Sequence, residues 1–224
     1  MCASSVSGIS LGQTHEFMIA LEKAGFTPKE IQAIISSKDN ELAQTMYVAL
    51  KKKMDVLLEL VSTVVVSATT SKFVAKDKFV VNTKRNAPVK ISAVWDNFTS
   101  WFLSGDGKTE DPISEQTLHY HKLRKSSVDS PIITELGGEE KSETTLTEMF
   151  SLMEKQKNGE DGVLLNNGYA NIFYIRDQNG VLRAVRVRWR DDGWYVFALS
   201  VVISDGWSDG YRVFSRKPSV TPSA

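Results

Sequence analysis

The chain is short of cysteine, of net charge, of histidine and of any long apolar run, and each shortage removes a class of protein. One cysteine, Cys2, stands in 224 residues, so an internal disulfide framework and a thiolate metal cluster are both excluded. Lysine plus arginine and aspartate plus glutamate each number 27, for a formal net charge of zero. No global field draws the molecule to nucleic acid or to an anionic membrane, and such binding would need a local patch. The most apolar run, Leu60–Ala68, is about half of the ~20 residues that a spanning helix needs. The first ten residues lack the basic and apolar regions of a secretory signal. The expectation is a cytoplasmic protein without membrane contact, cofactor or metal.

Hydrophobic residues make up 42% and charged residues 24%, which is enough apolar material for a real core. The stretch that organises the chain is Val163–Arg216, which reads as an antiparallel β-meander of four or five strands. Asn179-Gly180 separates Tyr169–Arg176 from Val181–Arg190, and Asn-Gly between two β-rich runs signals a two-residue type I′ hairpin. Asp191-Asp192-Gly193 turns the chain into Trp194–Ile203, apolar on both faces and therefore expected at the doubly covered centre of the sheet. Tyr211–Arg216 is the last strand.

Upstream, helix signals dominate. Thr14 is a cap for a helix ending at Gly25, and Thr27-Pro28-Lys29-Glu30 is a capping box with proline at the first helical position. Asp39 or Asn40 caps a third helix through about Lys53. Val61–Val66 is β-branched and fits either a strand or the end of a helix. Ser67–Ser71 has linker composition. Phe79–Val81, Val89–Val94 and Thr117–Leu123 read as strands, and Ser130–Gly138 as a short helix. Trp95, Phe98, Trp101 and Phe102 form an aromatic core anchor. Thr145-Leu-Thr-Glu148 opens a helix whose Leu146, Met149, Phe150 and Met153 share one face, fit to lie on the sheet. The expected fold is α+β: a small N-terminal helical bundle over residues 1–66, a linker at 67–72, an antiparallel-sheet domain packed with short helices over 73–218, and a disordered tail at 219–224.

Phe73–Asn82, Leu123–Asp129, Thr147–Gly162 and Tyr211–Arg216 resemble a family of uncharacterised proteins from candidate-phyla-radiation bacteria of the Parcubacteria-like groups. The resemblance implies a bacterial, cytoplasmic setting and assigns no activity, cofactor or catalytic residue.

Motifs for chemistry are sparse. Gly105-Asp-Gly-Lys-Thr109 has the ending of a phosphate-binding loop, but Phe102 stands where the first glycine is required, so a surface loop is expected. His119 and His121 lie at strand spacing, about 7 Å apart on one face. They make half a metal site at most, since the one other histidine is His15. Asp191, Asp192, Asp205 and Asp209 are turn residues, with Asp205 and Asp209 a weak cation pair. Neither a Gly-x-Ser-x-Gly elbow nor a Cys/His pair is present.

The most informative polar feature is a row of arginines. Arg186, Arg188 and Arg190 alternate with Val185, Val187 and Trp189, so the two sets face opposite sides of one strand. Arg176 and Arg212 are candidates to join the row. Crowded guanidinium groups call for carboxylates or a bound polyanion. The candidate ligand residues are thus Arg186, Arg188, Arg190, His119 and His121. The leading expectation is a non-enzymatic binding protein that docks a protein partner through its N-terminal helices. The alternatives are a nucleic-acid-binding protein using the arginine face or those helices, and an enzyme of unknown chemistry.

Overall fold

The computed structural model describes residues 10–54, 56–202 and 206–216. Residues 219–224, Cys2, Ile203 and Asp205 lie outside them. The chain divides into two compact units, Met1–Val56 and Leu57–Ala224.

The first unit holds α1 (Leu11–Lys23), α2 (Pro28–Ile35) and α3 (Glu41–Met54). Thr27 and Glu30 close the expected capping box on α2. Helix α1 starts earlier than expected, because Ser10 and Gln13 form a reciprocal box that outcompetes Thr14. Asp39 and Asn40 both adopt positive φ, which breaks the chain between α2 and α3. The helices form, but no residue of α1 or α2 is buried. Leu21, Phe26, Ile31, Ile34 and Met46 are half-buried.

The second unit is a mixed eight-stranded sheet with short helices. In chain order it contains β1 (Leu58–Val66), β2 (Phe73–Val74), α4 (Ala75–Lys78), β3 (Ile91–Val94), α5 (Asp96–Phe98), β4 (Thr109–Glu110), β5 (Gln116–Leu123), α6 (Asp129–Glu135), α7 (Glu139–Ser142), β6 (Glu143–Thr144), α8 (Leu146–Lys155), β7 (Asn171–Arg176), β8 (Leu182–Arg190), β9 (Gly193–Ser200) and β10 (Arg212–Ser215). The main sheet runs β1-β5-β10-β7-β8-β9-β3, with β6 also on β7, while β2 and β4 form a separate pair.

Four expectations change. Val61–Val66 belongs to edge strand β1, paired with β5, so the units part at Val56/Leu57 and residues 67–72 are a loop inside the sheet domain. The sheet is not purely antiparallel: β10 and β6 run parallel to β7, and β3 parallel to β9. The meander ends at β9, and β10 crosses over to insert between β5 and β7. Strand β9 therefore lies one place from the edge instead of at the centre. Phe79–Val81 is not a strand; α4 precedes it, and a single bridge joins Asn82 to Ile91.

The hairpin turn also differs. Gly180 has positive φ and Asn179 does not. The Asp177 carboxylate accepts the amides of Asn179 and Val181, and the Asp177 amide bonds the Val181 carbonyl. This is a three-residue loop with one left-handed glycine, not a two-residue type I′ turn.

One face of the sheet packs on α8 and the aromatic group. Thr145 and Glu148 cap α8 reciprocally, and Glu110 accepts the next amides, from Leu146 and Thr147. Its apolar stripe, including Leu146, Met149, Phe150 and Met153, is buried against Phe173, Val185, Val187 and Val196. Each such side chain contributes about 1.5–3 kcal/mol. Phe79, Phe98 and Phe102 extend the layer with ring centroids 4.8 Å apart, while Trp95 stays 54% exposed. The opposite face is covered at its middle by α6 and Trp207, where Ile132, Leu136 and Trp207 meet Ile172, Tyr174 and Val213.

Where β9 approaches β3, Gly193 leaves no room for a side chain: a Cβ there would lie 2.5 Å from Ser92 Oγ and 2.8 Å from the Ser92 amide nitrogen. Gly193→Ala is expected to destabilise the second unit by about 1–3 kcal/mol in urea unfolding; an unchanged midpoint would contradict this close approach.

Candidate binding face of the sheet

Strand registers place the candidate residues in rows across the second face. One row runs from Leu60 on β1 through His121, Val213, Ile172, Arg186 and Phe197, and Trp95, just after β3, stacks on Phe197. The histidines and arginines thus share a face. Three strand spacings separate His121 from Arg186, about 14 Å, and buried Val213 and Ile172 stand between them. They do not form one site.

His119 and His121 project side by side from β5, under the covered part of the face. His121 is 0% exposed, and neither of its ring nitrogens has a hydrogen-bond partner. Burial holds its imidazole down at about 4. Backbone of Val213 beside the ring works the other way without closing a hydrogen bond. The ring is therefore neutral and inaccessible. Among the described residues no group of three His, Cys, Asp or Glu is placed to hold a metal.

Asp129, at the start of α6, accepts hydrogen bonds from Tyr174 Oη at 2.8 Å and Trp207 Nε1 at 2.7 Å. Burial raises its carboxyl above the usual range, and the two donors pull it back down. This cluster fastens the Trp207 segment over the sheet. Nothing local in the sequence pairs residues so far apart.

The arginine row separates into distinct environments. Arg176 is bound by Glu143 at 2.9 Å and Glu139 at 3.1 Å. Arg212 points to the other face, over the Tyr120 ring at 5.1 Å, and donates to the Val163 carbonyl. Neither joins the row. Arg186 lays its guanidinium over Phe197 at 4.3 Å. Phe197 also stacks on Trp95, at 4.7 Å and 28°, so it sits between an indole and a guanidinium. Arg188 is half-buried opposite Tyr195 on β9. On its other side stands buried Ala170, with Tyr211 beyond it on the lead into β10. Arg188 Nε is out of water and has no acceptor. Arg190 is exposed at the end of the strand.

No family model, curated protein or solved structure matches this chain.

The remaining candidates fall away from this face. Gly105 and Gly107 take positive φ in a loop that leads into strand β4 and not into a helix, which is the wrong geometry for a phosphate-binding loop. Asp192 bonds Ser92 at 2.8 Å in the β8–β9 turn. No helix among the described residues is long and apolar enough to cross a membrane. The open end of the second face, from Trp95 to Tyr211, is what brings cations and rings together. Its arginines were legible as a period-two row, whereas Trp95 and Tyr211 reach the site only through pairing with distant strands.

His121 makes a pH prediction. An unfolded imidazole gains its proton below about 6.5, while the folded one stays neutral to about 4. Stability is therefore full above pH 6.5 and falls as pH drops through this window, by about 3 kcal/mol in total. Urea unfolding of His121→Leu is expected to lack this share of the acid loss; an identical loss in both proteins would contradict the burial of a neutral ring.

Proposed function

We propose that the chain is a binding protein whose ligand is anionic and docks on the open end of the second sheet face. What carries the reading is Arg188. It is half-buried opposite Tyr195, with its Nε out of water and without an acceptor among the described residues. Burial of Nε costs hydration that no protein group replaces, while the half-exposed residue leaves its guanidinium tip open to an anion with two oxygens, which would make charge-assisted bonds to it. Arg190 extends the positive strip outward along β8. With zero net charge overall, such a strip is the local patch that anion binding needs. A bacterial, cytoplasmic setting belongs to the same proposal, through the family resemblance of the phrases quoted above.

Polyanion chromatography tests this reading. The full chain is expected to be retained on a phosphate-bearing resin at low salt and to elute within the range where counterion release weakens such contacts. The double variant Arg188→Ala/Arg190→Ala is expected to elute markedly earlier. Unchanged elution would rule out this face.

A second reading has its own support: a protein partner on the N-terminal helices. Leu11, Phe17, Met18, Ile35, Leu42, Tyr47, Val48 and Leu50 are exposed there. Together they present on the order of 1,000 Å² of apolar side-chain surface, the scale of a real interface. A unit this small rarely holds itself together without added contacts. Hydrogen exchange at low and high protein concentration tests this. The α1–α3 amides are expected to exchange readily when dilute; protection gained on concentration would make the partner a second copy, and strong protection when dilute would contradict the reading.

A further inference from the structure

We infer that the ligand of this face is a single-stranded nucleic acid, its phosphates following β8 and its bases lying on the rings beside it. The inference rests on the anion-binding reading and adds the ring chemistry. Arg186, Arg188 and Arg190 leave one side of β8 at alternate positions, about 7 Å per step, comparable with the phosphate-to-phosphate step of an extended polynucleotide. On the adjacent strand β9, Tyr195 lies opposite Arg188 and Phe197 opposite Arg186; Phe197, buried between the Trp95 indole and the Arg186 guanidinium, backs the indole and takes no base itself. Trp95 continues the ring row outward; one side of its indole lies on Phe197 and the residue is 54% exposed.

Cations and rings therefore run as two neighbouring rows in register. A polyanion without rings would use the first row and leave Trp95 in water. An acidic peptide would bring carboxylates but no flat surface to the indole. A duplex keeps its base faces stacked inside. A single strand repeats one phosphate and one open base per unit, and each base stacked on an aromatic side chain is worth about 1–3 kcal/mol with little regard to sequence.

The test is fluorescence anisotropy on the full chain with four labelled probes: a short single-stranded oligonucleotide, its duplex, an abasic oligomer of equal length and charge, and an acidic peptide of equal charge. The single strand is expected to bind about tenfold more tightly than the abasic oligomer. Trp95→Ala is expected to bring single-strand affinity down to that of the abasic oligomer. Arg188→Gln is expected to weaken both and to flatten the salt dependence by about 0.7 in log–log slope. Equal binding of single-stranded and abasic probes would overturn the inference while leaving the anion-binding reading in place. So would tighter binding of the duplex or the peptide. Binding of no probe would overturn both.

Discussion

The pairing register of β8 with β9 is the constraint on which the molecule depends. Val185 lies opposite Ala198 and Val187 opposite Val196, so the valines enter the layer beneath α8 while Arg186 and Arg188 face the other way. Side chains alternate with a period of two, and a slip of one residue would exchange the faces. Guanidinium groups would then press against Phe173 and Met149, with a desolvation penalty of several kcal/mol each. The register is thus held by what it keeps out of the core as much as by what it puts in. Arg183, the β8 arginine on the apolar side, is accommodated at the strand's end: it bonds Asp177 at 2.9 Å and covers the Trp101 ring at 3.9 Å.

The rest of the fold fixes where that strand ends up. Helix α8, with its first-turn amides held by Glu110 and the Thr145 hydroxyl, closes the apolar face. On the second face, the layer of α6 and Trp207 takes in Leu182 and Ala184 on β8 and reaches Leu199 on β9, so the open part is the Arg186–Arg190 end of β8 with the neighbouring Tyr195 end of β9. The Asp129 hydrogen bonds to Tyr174 and Trp207 mark that limit. On the covered side sit His121 and an apolar floor; on the open side sit Arg188, Tyr195 and Trp95. One sheet face therefore presents two chemistries, separated by Val213 and Ile172.

Local patterns carried much of this. The capping boxes at Thr27 and Thr145 form as their spacing required, because each depends on atoms three residues apart. The parity of β8 was legible because a strand's alternation is intrinsic to it. The insertion of β10 between β5 and β7 was not, since pairing between strands distant in sequence leaves no local trace. Val61–Val66 was ambiguous because a short β-branched run fits a strand or a helix end until its partner is known. At the hairpin, Asn-Gly marked the turn but not its length, which the Asp177 carboxylate sets by capturing two amides. His119 and His121 share a face as their spacing demands, yet the layer over the sheet decides that His121 is a core residue. In the stack of Trp95, Phe197 and Arg186, the last two are partners across the β8–β9 hairpin, but Trp95, just after β3, comes from far away in the sequence.

Backbone amide shift mapping by NMR, during titration with a short single-stranded oligonucleotide, bears most directly on the central claim. The account predicts that the largest changes fall on β8, β9 and the end of β3, centred on Arg188, Tyr195 and Trp95, with His121 and α8 unmoved. Changes confined to other surfaces, or spread evenly over the molecule, would contradict it.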